Sequence, residues 1–370
     1  MIKISSPDIR EEDLGPLLEV IRSGQLVQAG EVAGFEDMLA EFAGVPHAVA
    51  VSSGTAALHL TLMALGLGPG DLVLVPAFTF PATANVVEAV GAACVFCDVH
   101  PDTYVMTPEL VRETLEGCPP GRVKAVMVVH EFGYPAAAAE LAQLAAEENL
   151  VLVEDAACAL GTRIGAHHPG HHGRAACVSF HPRKAITTGE GGAVLTRDGG
   201  LADRLRRLRS HGMERLPDGT VGFSLAGLNY RMTEFQAVLG RQQLPRFGAE
   251  LEARDAFARR YQAAFDRLDQ LRPPRPAPGH SWQSYMVVLA PSQSRRDIMS
   301  AMLARGIQTT IGAQALNCLD YFADRYGLKA EAFPVATELY RRGLVLPMYG
   351  KLTAGDIDRI AEVLVGRLGA

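Results

Sequence analysis

Leu150-Val151-Leu152-Val153-Glu154-Asp155-Ala156-Ala157 is the stretch whose reading decides the fold. Four apolar residues in a row, with no polar alternation, read as a parallel strand covered on both faces. Asp155 falls at the carboxyl end of that strand, the edge where open α/β sheets bind ligands. An Asp there also caps a following helix, and spacing alone does not choose between the two.

Working outward, Leu72-Val73-Leu74-Val75, Cys94 to Val99, Val123 to His130, Cys177 to Phe180 and Ala193 to Thr196 are further strand candidates. Helical patterns near residues 55–66, 82–90, 138–148 and 200–210 separate them. This β-α alternation predicts a mostly parallel sheet with helices on both faces. It breaks between the last two candidates, where a loop stands in place of a crossover helix. After about residue 245 the pattern changes. Arg246 to Leu271 reads as a long charged helix, Pro273, Pro274, Pro276 and Pro278 as a stiff connection, and Trp282 to Ala290 as a strand. Residues 295–305 and 355–367 read as helices. A large domain at 15–245 and a smaller α+β domain at 246–370 follow, with segment 1–14 packed against the latter.

The loop that breaks the alternation carries Ser179-Phe180-His181-Pro182-Arg183-Lys184 and then Gly189-Glu190-Gly191-Gly192. Burial lowers the pKa of a lysine held between two strands. An amine held that way can form a Schiff base with an aldehyde cofactor, although most loop lysines are merely solvated. Ser52-Ser53-Gly54-Thr55-Ala56-Ala57 follows the apolar run Ala48 to Val51 and precedes a helix with Leu58, Leu62 and Leu65 on one face. A strand, a small-residue turn and a helix start leave N–H groups aimed at one point, where the helix dipole favours a phosphate. Ordinary helix capping uses the same residues. No Walker-type Gly-Lys-Ser follows, which argues against a nucleoside triphosphate. Gly227-Leu228-Asn229-Tyr230-Arg231-Met232-Thr233-Glu234 opens a long helical stretch, with Thr233 as a cap and Asn and Arg as phosphate or carboxylate donors. A carboxylate at Asp155 can hold a pyridinium nitrogen protonated, which makes a pyridoxal ring an electron sink.

Taken in order, Ser-Ser-Gly-Thr-Ala, Pro76-Ala77-Phe78-Thr79-Phe80, Glu154-Asp155-Ala156-Ala157, Ser179-Phe180 with Lys184, Gly-Glu-Gly-Gly and Gly-x-Asn-Tyr-Arg-Met resemble the DegT/StrS-type sugar aminotransferases. Those are pyridoxal-phosphate-dependent enzymes of fold type I. The resemblance runs from about residue 5 to residue 350. It implies that Lys184 is the Schiff-base lysine and the acid/base that carries the proton between the cofactor's C4′ and the substrate carbon. It also implies that Asp155 pairs with the pyridine nitrogen, that Phe80 stacks on the ring, and that Gly54, Thr55, Ala56 and Ser179 hold the phosphate. For Phe80 a place in the core beside Phe78 is the alternative. Asn229 is implied to reach the neighbouring subunit's cofactor, which makes the protein a homodimer with shared active sites.

Two positions depart from the family pattern. Cys158 stands where the family carries Gln or His against the cofactor's phenolic oxygen, and a thiol is a poor hydrogen-bond partner. The run Gly306-Ile307-Gln308-Thr309-Thr310-Ile311-Gly312-Ala313-Gln314 lacks the family's His-containing segment. Lys184 itself separates this chain from members that carry His there and dehydrate sugars. The implied reaction is amino transfer from an amino acid, L-glutamate, to a nucleotide-linked keto-deoxysugar in amino-sugar biosynthesis. A keto-cyclitol acceptor, a sugar dehydratase and a silent sugar-binding regulator are the alternatives.

Composition narrows the rest. The 370 residues are 48% hydrophobic with a net charge of −6, and no basic run tracks a phosphate backbone. Arg204, Arg206, Arg207 and Arg209 wrap around a helix as a solvated face. The start, Met-Ile-Lys-Ile-Ser-Ser, has no apolar signal core, and no stretch suits a membrane span, so a cytoplasmic protein is expected. Cys94 and Cys97 lie three apart on a strand, pointing to opposite faces as buried thiols rather than a redox or zinc pair. His167, His168, His171 and His172 surround Pro169-Gly170 as an exposed hairpin-like loop without supporting ligands, so no metal is expected.

Overall fold

The computed structural model describes residues 1–369. Its strands in chain order are β1 His47–Val51, β2 Leu72–Pro76, β3 Phe78–Thr79, β4 Ala93–Cys97, β5 Val123–Val129, β6 Val151–Asp155, β7 Ala175–Ser179 and β8 Gly192–Thr196. There follow β9 Met213–Arg215, β10 Val221–Phe223, β11 Leu271–Arg272, β12 Tyr285–Leu289, β13 Thr310–Ile311, β14 Gln314–Ala315 and β15 Gly343–Leu346. Seven of them form one sheet in the order β1-β8-β7-β6-β5-β2-β4. The pairs from β7 through to β4 are parallel, while β8 runs antiparallel to both β7 and β1. The alternation breaks at the expected place for a physical reason. The segment joining β7 to β8 is too short to house a crossover helix, so the chain returns antiparallel.

The first four helices are α1 Leu14–Ser23, α2 Gly30–Ala43, α3 Gly54–Leu65 and α4 Ala82–Ala89. Helix α3 buries residues on nearly every side, including Leu58, Leu60, Thr61 and Leu62, because it is wedged between the sheet and other helices. The strand runs are therefore apolar on both faces; Val73, Leu74, Val75, Val128 and Val153 are fully buried.

A second sheet, β11-β12-β15-β13, divides its side chains by the period of two. Tyr285, Val287 and Leu289 of β12 join Tyr261, Phe265 and Trp282 in one core. Met286 and Val288 point the other way into the core of the seven-stranded sheet. Strand β14 pairs with β3, which ties this part of the chain to the ligand edge. The N-terminal Ile2 lies in the core of the second sheet, donating to Gly306 O at 2.8 Å and accepting from Gln308 N at 2.9 Å.

Some boundaries differ from the sequence reading. The long helix is Phe247–Phe265, not Arg246 to Leu271, and Leu271–Arg272 is a strand. Arg267, in the left-handed region at φ 69°, turns the chain between them. The strand expected from Trp282 starts at Tyr285, because Trp282 has φ 51° and cannot lie in a strand. The helices Gly30–Ala43 and Pro108–Glu116 were not read from the sequence at all.

Candidate active site

Three loops meet at the carboxyl ends of β5, β6 and β7. Asp155 closes β6 and is 5% exposed. Its Oδ2 accepts from the Thr83 hydroxyl of α4 at 2.8 Å and its Oδ1 from Ala157 N at 3.1 Å. Burial nevertheless pushes its carboxyl above the ordinary aspartate value, against those two hydrogen bonds and the nearby Lys184. A carboxylate in that state favours a cation brought against it.

Lys184 sits on a turn after β7, closed by its own N–H on His181 O at 2.8 Å. The turn is clamped from the second sheet: Gln283 accepts from Ala185 N at 3.1 Å and donates to Arg183 O at 2.7 Å. The Lys184 amine donates to Cys158 Sγ at 3.0 Å. The expected lowering of its pKa is not found. Burial does oppose the charge, but Cys158, Glu131 and Asp155 together outweigh it and hold the amine above its ordinary value. Burial pushes the Cys158 thiol up as well, so a neutral thiol faces an ammonium.

The turn before α3 is both a cap and an anion site. Ser53 is the N-cap, and its Oγ takes the Ala56 N–H at 3.0 Å. Ala56 is therefore spent on capping, which leaves the Gly54 and Thr55 amides at the helix start. A Cβ on Gly54 would lie 2.8 Å from Ser179 Cβ, and one on Gly192 would lie 2.5 Å from the Ser53 backbone. Glycine at both positions lets the α3 turn close on the end of β7 and brings the Ser179 hydroxyl beside those amides.

Between these loops lies a cavity of about 160 Å³, lined by Phe80, Glu131, Phe132, Cys158 and Lys184, with Gly312 opposite. Phe78 is fully buried whereas Phe80 is 69% exposed, so Phe78 is the core aromatic and Phe80 presents a free ring face. An amine and an aromatic face at this opening, with the Asp155 carboxyl near the amine and the α3 turn against Ser179, fit a phosphorylated pyridine aldehyde. Glu131, Thr79 and Thr83 were missed in the sequence. Glu131 lies two residues past the end of β5, whereas Asp155 is the last residue of β6.

Asn229 is exposed on a segment that pairs with Ser210 and lies beside the end of β1, where Ser52 N donates to Tyr230 O at 2.9 Å. It is not among the described residues that line the cavity. Thr233 caps its helix as expected, its N–H bonding Gln236 Oε1 at 2.9 Å. Cys94 and Cys97 are buried free thiols, both pushed up to about 12 by burial. The histidine loop is less exposed than its sequence suggests, since His168 packs on Phe42 and bonds Thr162 O at 2.9 Å. No metal-binding group of three or more ligands occurs among the described residues, and no described helix is long and apolar enough to cross a membrane.

Comparison with known proteins agrees with this geometry. The GDP-perosamine synthase of Caulobacter vibrioides is 34% identical over 369 residues, covering 98% of this chain and 97% of that protein. The aminotransferase TlmJ from Streptoalloteichus hindustanus superposes with a TM-score of 0.91 at 32% identity, over 100% of both chains. A putative sugar aminotransferase from Streptococcus pneumoniae, Spr1654, in its PMP form, superposes with a TM-score of 0.92 at 25% identity, over 99% of this chain and 97% of that one. Residues 7–365 match the profile of the DegT/DnrJ/EryC1/StrS aminotransferase family, and the chain belongs to it.

Proposed function

We propose that this pyridoxal-phosphate-dependent aminotransferase moves the amino group of L-glutamate onto the keto group of a nucleotide-linked deoxysugar. The nearness of the Asp155 carboxyl to Lys184, which lines the cavity, and the close approach of the α3 turn to Ser179 carry the reading. The nucleotide-linked acceptor is supported by the name of the GDP-perosamine synthase relative.

Pyridoxal phosphate, when bound, supplies the aldehyde that accepts the amino group and the ring that takes up the electrons. Gly54, Thr55 and Ser179 bind its phosphate, through the two amides and the serine hydroxyl. Asp155 keeps a proton on the ring nitrogen, and its raised proton affinity is met by that cation. Phe80 covers one face of the ring. Cys158 orients the Lys184 amine, and Lys184 Nζ holds and moves the proton that the exchange requires. Asn229 serves the site of a second copy. That homodimer is supported by exposed apolar side chains on α1 (Leu14, Leu18, Ile21) and on the β9–β10 hairpin (Met213, Val221, Phe223). The large and small domains divide near residue 245, before the helix Phe247–Phe265.

The test is a screen of keto-sugar nucleotides and keto-cyclitols with glutamate as donor, following 2-oxoglutarate release. Turnover with a sugar nucleotide and none with cyclitols supports the reading; the reverse replaces the acceptor. No glutamate-dependent amine from any of them overturns the reaction.

A further inference from the structure

A trough of about 610 Å³ opens beside the Lys184 cavity, and the two share the wall residues Ile4, Arg183, Thr310 and Ile311. Arg183 and Lys184 are consecutive, yet they serve different spaces. Both line the cavity, and of the two only Arg183 also lines the trough. The turn that carries them is fixed through its backbone. Arg183 N donates to His181 Nδ1 at 3.2 Å, and Arg183 O accepts from Gln283. Arg183 therefore stands at the junction of the two spaces.

Most of the remaining trough wall is one face of the helix Arg295–Ala304. Arg295, Met299 and Leu303 recur every four residues along it, and Arg296 and Ser300 lie beside them. The trough thus has three arginines in its wall and no carboxylate among the described residues. Arg183 and Arg296 are exposed, and neither makes an ion pair among the described residues. Arg295 is held by the carbonyls of Tyr340 and Gly343, and it too has no carboxylate partner. Both helix arginines stand in the first turn, where the macrodipole disfavours a cation. Helix stability explains Asp297 in that turn, outside the trough wall, but not the two arginines.

The walls restrict what can occupy the trough. An amino-acid donor is short and brings its reacting carbon to Lys184, so it leaves the trough empty. A nucleotide-linked sugar with its keto carbon at Lys184 has to lead its diphosphate out of the cavity. Arg183 is the only cation besides Lys184 in the cavity wall among the described residues, and it lies in the wall shared with the trough. Beyond it, Met299 and the 57% exposed Leu303 offer an apolar surface to a flat base.

We propose that this trough is a nucleoside-diphosphate site, in which Arg183 and Arg296 pair with the diphosphate of the acceptor and the base lies against Met299 and Leu303. Guanidinium groups suit that partner because each presents a planar fork of donors to phosphate oxygens. The site rests on the nucleotide-linked acceptor proposed above, and its occupancy is measured without turnover.

The test is calorimetric titration of the cofactor-loaded protein, in which pyridoxal phosphate already fills its own phosphate turn. GDP and UDP should bind, inorganic pyrophosphate should compete with them, and guanosine should bind at least about tenfold more weakly than GDP. Arg183→Ala and Arg296→Ala should each weaken GDP binding about tenfold, the worth of one charge-assisted contact. Added salt should weaken GDP binding more steeply in the parent than in the double variant. Arg295 is left intact, since its carbonyl contacts belong to the fold. Glutamate should discharge the cofactor's visible band in both single variants at rates within about twofold of the parent. Failure of GDP and UDP to bind the parent at millimolar concentration overturns the site, as does equal GDP affinity in the parent and both variants. A loss confined to the glutamate reaction also overturns it and gives the arginines to the donor. GDP binding that both variants weaken, with no sugar nucleotide turned over, upholds the site and removes the acceptor reading instead.

Discussion

The Lys184 amine and the Cys158 thiol meet across 3.0 Å, and the amine is the donor. A neutral thiol is a weak acceptor. It orients the ammonium at little cost to its later release, which a carboxylate in the same place would resist. Cys158 therefore orients Lys184, and Glu131 and Asp155 add to that contact in holding the amine above its ordinary value.

Lys184→Ala removes the only amine that lines this cavity among the described residues. Loss of the covalent attachment and of the proton carrier should cost at least about a thousandfold in turnover. The purified variant should lack the visible chromophore that borohydride reduces in the parent. Full transaminase activity in Lys184→Ala would remove the central assignment.

Asp155→Ala separates a ring-nitrogen role from a capping role. The carboxylate accepts two hydrogen bonds, and leaving Thr83 and Ala157 without it should cost about 1–3 kcal/mol of stability. A charge that matters only while electrons flow into the ring is worth more, at least about a hundredfold in kcat. Urea unfolding and steady-state kinetics on the same preparation check the pair of values. Losses of equal free energy in both would favour the capping role.

Gly54→Ala tests the anion turn without touching a charge. The added methyl carbon would begin 2.8 Å from Ser179 Cβ, so the α3 turn and the end of β7 must part. Affinity of the cofactor-free protein for pyridoxal phosphate should fall about tenfold or more, since amides that hold a phosphate act only at hydrogen-bond range. Gly248→Ala is the control, in a helix and with nothing within 4 Å of its Cβ. It should be neutral or stabilising by up to about 1 kcal/mol. Equal affinities for the two variants would mean that the phosphate lies elsewhere.

Much of this was legible in sequence because strands and their ends are written locally. The apolar run ending in Asp155 predicts a buried parallel strand with a carboxylate at its ligand edge, and that is its place. The β7–β8 loop with Lys184 predicts the antiparallel return. What was not legible depends on contacts between distant segments. The direction of the Lys184 pKa shift is set by Glu131 and Cys158, 53 and 26 positions away in sequence, and burial alone predicts the opposite sign. Ala56 could not be separated from Gly54 and Thr55 until the Ser53 hydroxyl was seen to take its amide. Glu131 was overlooked because the run Val123 to His130 was read as ending at His130, one residue short of the carboxyl that matters.

His280 gives the pH dependence of stability around the turn Glu131–Gly133. Its ring stacks on Trp282 at 3.7 Å, and its Nδ1 accepts the Trp282 N–H at 3.0 Å. Burial pulls its pKa down to about 3, partly opposed by a backbone hydrogen bond with Gly133, so the folded protein holds the imidazole neutral. An unfolded histidine titrates near the ordinary value of about 6.5. The unfolded state thus binds a proton that the folded state refuses. Stability is intact above about pH 6.5 and falls as pH drops from there towards about 3. Between pH 7 and pH 4.5 this one group should cost about 2–3 kcal/mol. His280→Phe keeps the stack but cannot take the proton. It should be less stable than the parent at pH 7 by about 1–2 kcal/mol, through the orphaned Trp282 N–H. Over the acid range it should lose about 2–3 kcal/mol less than the parent does. Urea unfolding at pH 7 and pH 4.5 on both proteins measures the difference. Parallel losses would mean that His280 takes up its proton without unfolding the Gly133 turn, and that acid sensitivity resides in the carboxylate pairs instead.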